Sequence, residues 1–279
     1  MFWQTSRRRI SLDRPLVMGI LNVTPDSFSD GGIVVTVDDA VRRAQQMIAD
    51  GADVIDIGGE STRPGSAQVS VEEEIERIGP VISEIAKRFD TPISIDTSKS
   101  RVAAYAVDAG AEIINDISGF RFDPDVAQVA AESLAGVVLM HSRGSFATMH
   151  SQPPVADIFA DVFAVFQTAV AEAKLAGIAD ESIVLDVGIG FGKTFEQNLE
   201  LLAKLDSIVD AFKPYPVLVG TSRKSFIGKI LGDAPPSERL GGSLATALFA
   251  LSQGASIVRV HDVKETVSAV RVLQRINEA

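Results

Sequence analysis

This sequence of 279 residues has no cysteine. That excludes a disulfide framework and any zinc or iron–sulfur centre held by thiolates. It has no low-complexity tract. Its longest apolar run, Leu244–Leu251, falls far short of the roughly 20 residues that a membrane-spanning helix needs. The arginines at 7–9 are not followed by an apolar stretch. Residues 1–14 therefore read as a closing segment at the base of the fold, not as a signal peptide. Basic residues are outnumbered, 26 to 37, for a net charge of −11. This argues against nucleic-acid binding and requires any anion site to be a local cluster of basic groups. The expectation is a cytoplasmic protein acting on small molecules.

What the chain does have is regularity. Eight short apolar runs end on polar, charged or Gly-rich residues: Leu16–Asn22, Val54–Glu60, Ile93–Asp96, Ile113–Asn115, Val137–His141, Ile183–Asp186, Val217–Ser222 and Ile257–His261. Such runs suit strands buried on both faces, and longer helix-like segments separate them. The repeated β-α order predicts a single α/β domain over residues 1–279, a (β/α)8 TIM barrel. In that fold the active site is at the C-terminal ends of the strands, where the polar residues stand.

A phrase recurs inside this pattern. Gly51, Gly110 and Gly254 each precede an alanine and, five residues on, Asp56, Asn115 and Arg259; Gly136 leads to His141 at the same offset. A helix-ending glycine followed by a short strand would place these four side chains at one depth. Thr36-Val-Asp-Asp39, Ser70-Val-Glu-Glu73, Asp262-Val-Lys-Glu265 and Asp123-Pro124 read as capped helix starts. The acidic run at 72–76 reads as a solvated helix start, not a metal site. Residues 243–254 are apolar on nearly every side, which on the outer ring of a barrel predicts a homodimer packed through them.

Asp96, Asn115 and Asp186 end the third, fourth and sixth runs. Carboxylates in a barrel mouth are costly to bury without donors, and three such groups suit a ligand rich in N–H, such as an aminopyrimidinone ring. Lys224, past the seventh run, would meet a carbonyl or ring nitrogen; the competing reading is an Asp–Lys network closing the barrel top. Arg259 and His261 lie on one face of the last strand beside Asn22 of the first, and suit an oxyanion or phosphate. Phe28, in a polar loop, has little to bury against unless that loop closes over something. Arg63, in the loop after the second run, suits an anion through bidentate bonds. Residues 188–194 fail the P-loop spacing, because Val187 stands where its first glycine belongs. They read as a Gly-rich loop that lets Phe191 approach a flat ligand. His150 carries no role in this reading.

Met18–Gly32, Asp56–Gly65, Ser94–Thr97, Asn115-Asp116, Gly220–Ser225 and Arg259–Val263 together resemble the dihydropteroate synthases, over nearly the whole chain. The resemblance implies condensation of 6-hydroxymethyl-7,8-dihydropterin diphosphate with 4-aminobenzoate, giving 7,8-dihydropteroate and diphosphate, with Mg2+. It implies that Asp96, Asn115, Asp186 and Lys224 bind the pterin. Asn22, Arg259 and His261 match the diphosphate site, with Asn22 also a magnesium ligand. Thr62 and Arg63 match a second mobile loop. Phe28, Pro64 and Ser222 match the aminobenzoate pocket, and Phe191 its aromatic edge. Asp96, Lys224, Arg259 and His261 are the residues expected to carry catalysis. Two features depart from the family pattern: Val187 replaces a usual proline, and Met140–Met149 replaces a Met-His-Met-Gln-Gly type of run. A corrinoid-dependent methyltransferase domain would share the pterin barrel without needing the diphosphate residues or the Phe28 loop. A non-catalytic pterin-binding paralogue is the other alternative, although both loop motifs are intact here.

Overall fold

The computed structural model describes residues 1–24, 36–63 and 65–279. A short antiparallel hairpin, β1 (Phe2–Gln4) and β2 (Arg9–Ser11), comes first. Eight parallel strands then close into a barrel: β3 (Leu16–Asn22), β4 (Val54–Gly58), β5 (Ile93–Asp96), β6 (Ile113–Asp116), β7 (Gly136–Met140), β8 (Ile183–Asp186), β9 (Val217–Val219) and β10 (Ile257–Val260), with β10 pairing β3. Between them run α1 (Val37–Ala49), α2 (Val71–Arg88), α3 (Ser100–Ala109), α4 (Asp125–Ser133) and α5 (Ile158–Ala176). Helices α6 (Phe195–Ala203) and α7 (Leu205–Ala211) follow β8, α8 (Ser225–Ile230) and α9 (Leu240–Ser252) follow β9, and α10 (Val263–Asn277) ends the chain. This is the expected (β/α)8 architecture.

Alternation along each strand sorts the side chains into two cores. Met18, Val54, Ile113, Val138, Val184, Leu218 and Ile257 pack together in the lumen, while their neighbours Ile55, Ile57, Ile95 and Leu185 pack outward against the helices. Each such buried aliphatic side chain contributes about 1.5–3 kcal/mol. The hairpin plugs the base. Trp3 is fully buried with the lumen cluster and donates from Nε1 to the Ser182 carbonyl at 3.0 Å. Beside it, buried Glu112 accepts from Arg8 Nη2 at 2.7 Å, Arg8 Nε at 3.0 Å and Thr5 Oγ1 at 2.8 Å.

The recurring glycines divide at this point. Gly51, Gly110 and Gly254 follow α1, α3 and α9 with positive φ (101°, 126° and 97°) and so end helices as expected. Gly136 does not. Helix α4 ends instead on left-handed Leu134, and Gly136 is the first residue of β7. A Cβ there would lie 3.0 Å from Trp3 Nε1 and 3.1 Å from the Gln4 carbonyl, so any larger residue would press on the plug. Its offset consequently carries the opposite parity, and His141 leaves the lumen.

Of the helix starts, Thr36 and Asp39 form a reciprocal capping box, and Ser70 accepts from the Glu73 amide. Asp123 Oδ1 accepts from the Asp125 amide at 3.2 Å. Asp262 makes no side-chain cap; its carboxylate is engaged by Arg223 instead. On α9, Ala247, Ala250 and Leu251 are buried while Phe249 remains 44% exposed. No described helix is long and apolar enough to cross a membrane.

Candidate active site

The C-terminal mouth of the barrel collects the strand-end polar side chains. Asp56 on β4 is fully buried, and Asp96 stands at the end of β5. Arg259 reaches across from β10, donating from Nε to Asp56 Oδ2 at 2.6 Å and from Nη2 to Asp96 Oδ2 at 2.5 Å. Asn115 on β6 donates to the same Asp56 oxygen at 3.1 Å. Burial raises Asp96 to about 7; Arg259 opposes this and the neighbouring Asp56 charge adds to it. Burial alone would lower Arg259, but the Asp56 and Asp96 charges carry it above its ordinary value. Two of its five N–H donors are spent on carboxylates, which leaves others for an anion.

The opposite wall comes from β8 and the loop after β9. Asp186 Oδ1 accepts the Gly188 amide at 2.8 Å, and burial raises its pKa while Lys224 opposes. Burial in turn lowers Lys224 to about 8, partly offset by Asp186. Its ammonium donates to the Ile189 carbonyl and lies 4.7 Å from the centroid of the Phe191 ring. The Gly-rich loop is thus folded under Lys224, as a platform bordered by one aromatic ring.

On the third side, Ser222 Oγ accepts from the His261 amide at 3.2 Å and lies 3.1 Å from its Nδ1. The hydroxyl proton then belongs on the Nδ1 contact, which leaves Nε2 as the protonated ring nitrogen. Burial, with Arg259 and Arg223 nearby, lowers His261 to about 3 and keeps it neutral. Asn22 ends β3. Gly58 leaves a gap beside it: a Cβ at 58 would stand 3.6 Å from Asn22 Oδ1 and 3.8 Å from Asp96 Oδ2. No group of three or more His, Asp or Glu side chains suited to a metal occurs among the described residues. Two hard oxygens beside an open gap nevertheless suit Mg2+, which keeps waters and takes its remaining ligands from substrate phosphates.

Above the mouth, the β4–α2 loop meets the loop after β7. His150 Nε2 lies 2.7 Å from the Thr62 carbonyl. Thr62, exposed Arg63, Phe146, Met149 and His150 line a cavity of about 430 Å3 between the two loops. Phe28 and Pro64 lie outside the described residues.

Several contacts here were not anticipated from the sequence. Asp56 was flagged by the glycine offset but given no partner. His141 is buried behind the wall, with Nε2 3.1 Å from Asp161 and Nδ1 2.8 Å from Lys193 Nζ. Burial and Lys193 lower it to about 4. Lys193 also donates to the carbonyls of Gly188 and Phe191 at 2.8 and 3.1 Å, and so shapes the Gly-rich loop. In the unusual 140–149 segment, Arg143 donates to the Gly192 carbonyl at 3.1 Å and Ser142 accepts from Arg121 at 2.8 Å. Arg143 therefore ties the loop after β7 to the same platform, while Ser142 joins it to the loop after β6. His150, without a role on sequence grounds, also packs 5.7 Å from the Phe191 ring.

Similar proteins are known. Residues 18–261 match the pterin binding enzyme family. The chain is 52% identical to the dihydropteroate synthase of Escherichia coli K12, over 95% of this chain and 93% of that protein. It is 48% identical to the dihydropteroate synthase of Bacillus subtilis 168, over 94% and 88%. The Yersinia pestis dihydropteroate synthase, solved with a sulfonamide drug complex, superposes with a TM-score of 0.94 at 45% identity, covering 100% of both chains. The Xanthomonas albilineans enzyme, solved with 4-aminobenzoic acid, gives 0.93 at 42%, covering 100% and 98%. A family match over residues 18–261, with relatives about half identical along nearly the whole length, places the chain in the dihydropteroate synthase family.

Proposed function

We propose that this protein condenses 6-hydroxymethyl-7,8-dihydropterin diphosphate with 4-aminobenzoate, releasing 7,8-dihydropteroate and diphosphate. The observation that carries the reading is the convergence of Asp96, Asn115, Asp186, Lys224, Arg259 and His261 on one barrel mouth, from the ends of five different strands. Asp96, Asn115 and Asp186 offer acceptors and an amide to the N–H-rich edge of the pterin, and Lys224 offers a donor to its carbonyl or ring nitrogen. Phe191 borders the ring plane. Arg259, through its remaining donors, and His261, through Nε2–H, face the diphosphate. Asn22, with Asp96 nearby, would hold Mg2+, which supplies charge neutralisation for the diphosphate.

In this reaction the bond between the pterin methylene carbon and the diphosphate oxygen breaks, and the electron pair leaves with diphosphate. The arylamine nitrogen forms the new bond to that carbon and loses a proton to solvent. The neutral arylamine is already a nucleophile, so no strong general base is required. The carboxylates of the mouth stabilise positive charge on the pterin methylene as the leaving group departs, which favours a dissociative, carbocation-like step. Thr62 and Arg63, with Phe28, Pro64 and Ser222, would complete the aminobenzoate pocket as the loops close. This predicts ordered binding, with the pterin diphosphate first.

Phe249 on α9, and Val272 and Ile276 on α10, which packs against α9, are exposed (44%, 60% and 65%), and this supports a homodimer through these helices. Phe249→Glu should then shift the molecular mass in solution from dimer to monomer. A cysteine-free composition is consistent with a cytoplasmic location. The direct test incubates the protein with both substrates and Mg2+ and measures diphosphate and dihydropteroate. Formation of both in equal amounts supports the reading; pterin binding without turnover overturns it in favour of a non-catalytic paralogue.

A further inference from the structure

The β4–α2 loop carries Thr62 and Arg63, yet among the described residues its tip makes few bonds. Ser66 donates from its amide to the Arg63 carbonyl at 3.0 Å and from Oγ to Ser61 Oγ at 2.9 Å, and His150 touches the Thr62 carbonyl. The stems are held differently. Lys99 Nζ donates to Glu60 Oε1 at 2.9 Å, to the Val69 carbonyl at 2.8 Å and to Glu74 Oε2 at 2.7 Å. An ammonium has three N–H groups, so all are used. Glu60 Oε1 also accepts the Val69 amide at 2.7 Å, which joins the two stems directly. Lys99, Glu60 and Glu74 have side chains only 12%, 8% and 1% exposed. Two carboxylates buried this close need the cation between them. Lys99 stands three residues past Asp96, immediately before α3, so its own frame is the barrel rim. Arg77 adds one bond, to the Gly59 carbonyl at 2.8 Å, and holds only the first stem.

We propose that Lys99 is a positioning residue for substrate condensation: it pins both stems of the β4–α2 loop to the barrel rim and so fixes where Thr62 and Arg63 stand above the mouth. The clamp rests on the geometry alone; its consequence for 4-aminobenzoate rests on the synthase reading. On that reading the pterin is held deeper, by side chains of the strand ends; the clamp reaches that layer only through the Glu74 charge, which raises Asp96 slightly, and makes no hydrogen bond to Asp96, Asn115, Asp186 or Lys224. The clamp therefore acts on the second substrate and leaves the first alone.

The test compares wild type, Lys99→Met, and Lys99→Met combined with Glu74→Gln, which removes one of the two buried charges and protects the fold. Hydrogen exchange is followed in the 60–70 segment and in β5 and β6, alongside KM for 4-aminobenzoate and the affinity for 6-hydroxymethylpterin. Both variants should exchange residues 60–70 about tenfold faster and raise the aminobenzoate KM about tenfold, with pterin affinity within about twofold of wild type. Wild-type exchange and KM in the double variant would overturn the proposal. So would a parallel loss of affinity for both substrates accompanied by faster exchange in β5 and β6, since that marks a purely structural role. If wild type shows no turnover, the synthase reading fails by itself, and exchange at 60–70 still decides the clamp.

Discussion

At the base of the barrel, buried Glu112 receives three donors and Trp3 Nε1 finds a carbonyl. At the mouth, Asp56 Oδ1 and Ser94 Oγ are buried without a partner among the described residues. The base also fits its apolar contents closely, with Gly136 admitting the Trp3 ring. The mouth instead crowds three acids around Arg259 and Lys224, and burial moves Asp96 to about 7 and Lys224 to about 8. The same strands thus end in a satisfied, stabilising layer on one side and a charge-crowded, under-bonded layer on the other. Polar groups left short of partners are what a ligand can complete.

The sharpest way to break this contrast is Arg259→Met. It should lower kcat/KM by about a thousandfold or more, through loss of anion stabilisation. It should also cost about 3–5 kcal/mol of stability, because Asp56 and Asp96 are left buried without a cation. Steady-state kinetics and denaturant melts check both, and wild-type kinetics would remove Arg259 from the site. Trp3→Ala should do the reverse: about 3–5 kcal/mol lost in unfolding, with kcat/KM of the folded fraction within about twofold of wild type. A large kinetic loss there would mean that base and mouth are coupled.

Lys224→Ala should weaken 6-hydroxymethylpterin binding by about 100-fold, roughly 2.7 kcal/mol, and should lower the melting temperature less than Arg259→Met does, since relief from burying its ammonium offsets the charge lost beside Asp186. Calorimetry for binding and for melting separates the two effects. The pH dependence of stability should show the same groups with opposite signs. Lys224 falls from 10.5 to about 8 on folding, so its contribution is complete above pH 10.5 and is lost as pH falls toward 8. Asp96 rises from 3.8 to about 7, so its contribution is complete below pH 3.8 and is lost as pH rises through 7. Lys224→Met and Asp96→Asn should each flatten the stability curve in its own window. The smallest effect is at neither end: Thr36→Ala, which removes the α1 capping box, should cost about 1 kcal/mol and leave kinetics unchanged.

The barrel could be read from sequence because its signals are local. A short apolar run, a turn signal and a helix repeat eight times, and parity then places Asp96, Asn115, Asp186 and Arg259 at one mouth. Gly136 misled because a strand glycine beside a plug and a helix-ending glycine look alike in sequence; only contact with Trp3 separates them. The partnerships were less accessible. Nothing local ties Lys99 to Val69, or Lys193 to His141, since both pairs form only once loops from separate β-α units are stacked. His150 was passed over for the same reason: its contact with Thr62 spans 88 positions.

The bond from Arg259 to Asp56 joins residues 203 positions apart, from the last strand to the second of the barrel. During synthesis the acids of the early strands are therefore made long before the guanidinium that neutralises them. A nascent chain halted before residue 259 would carry unmatched negative charge where the closed cylinder should be. Competence for chemistry thus waits on synthesis of the eighth barrel strand, and a product truncated before it is barred from acting as a partial enzyme.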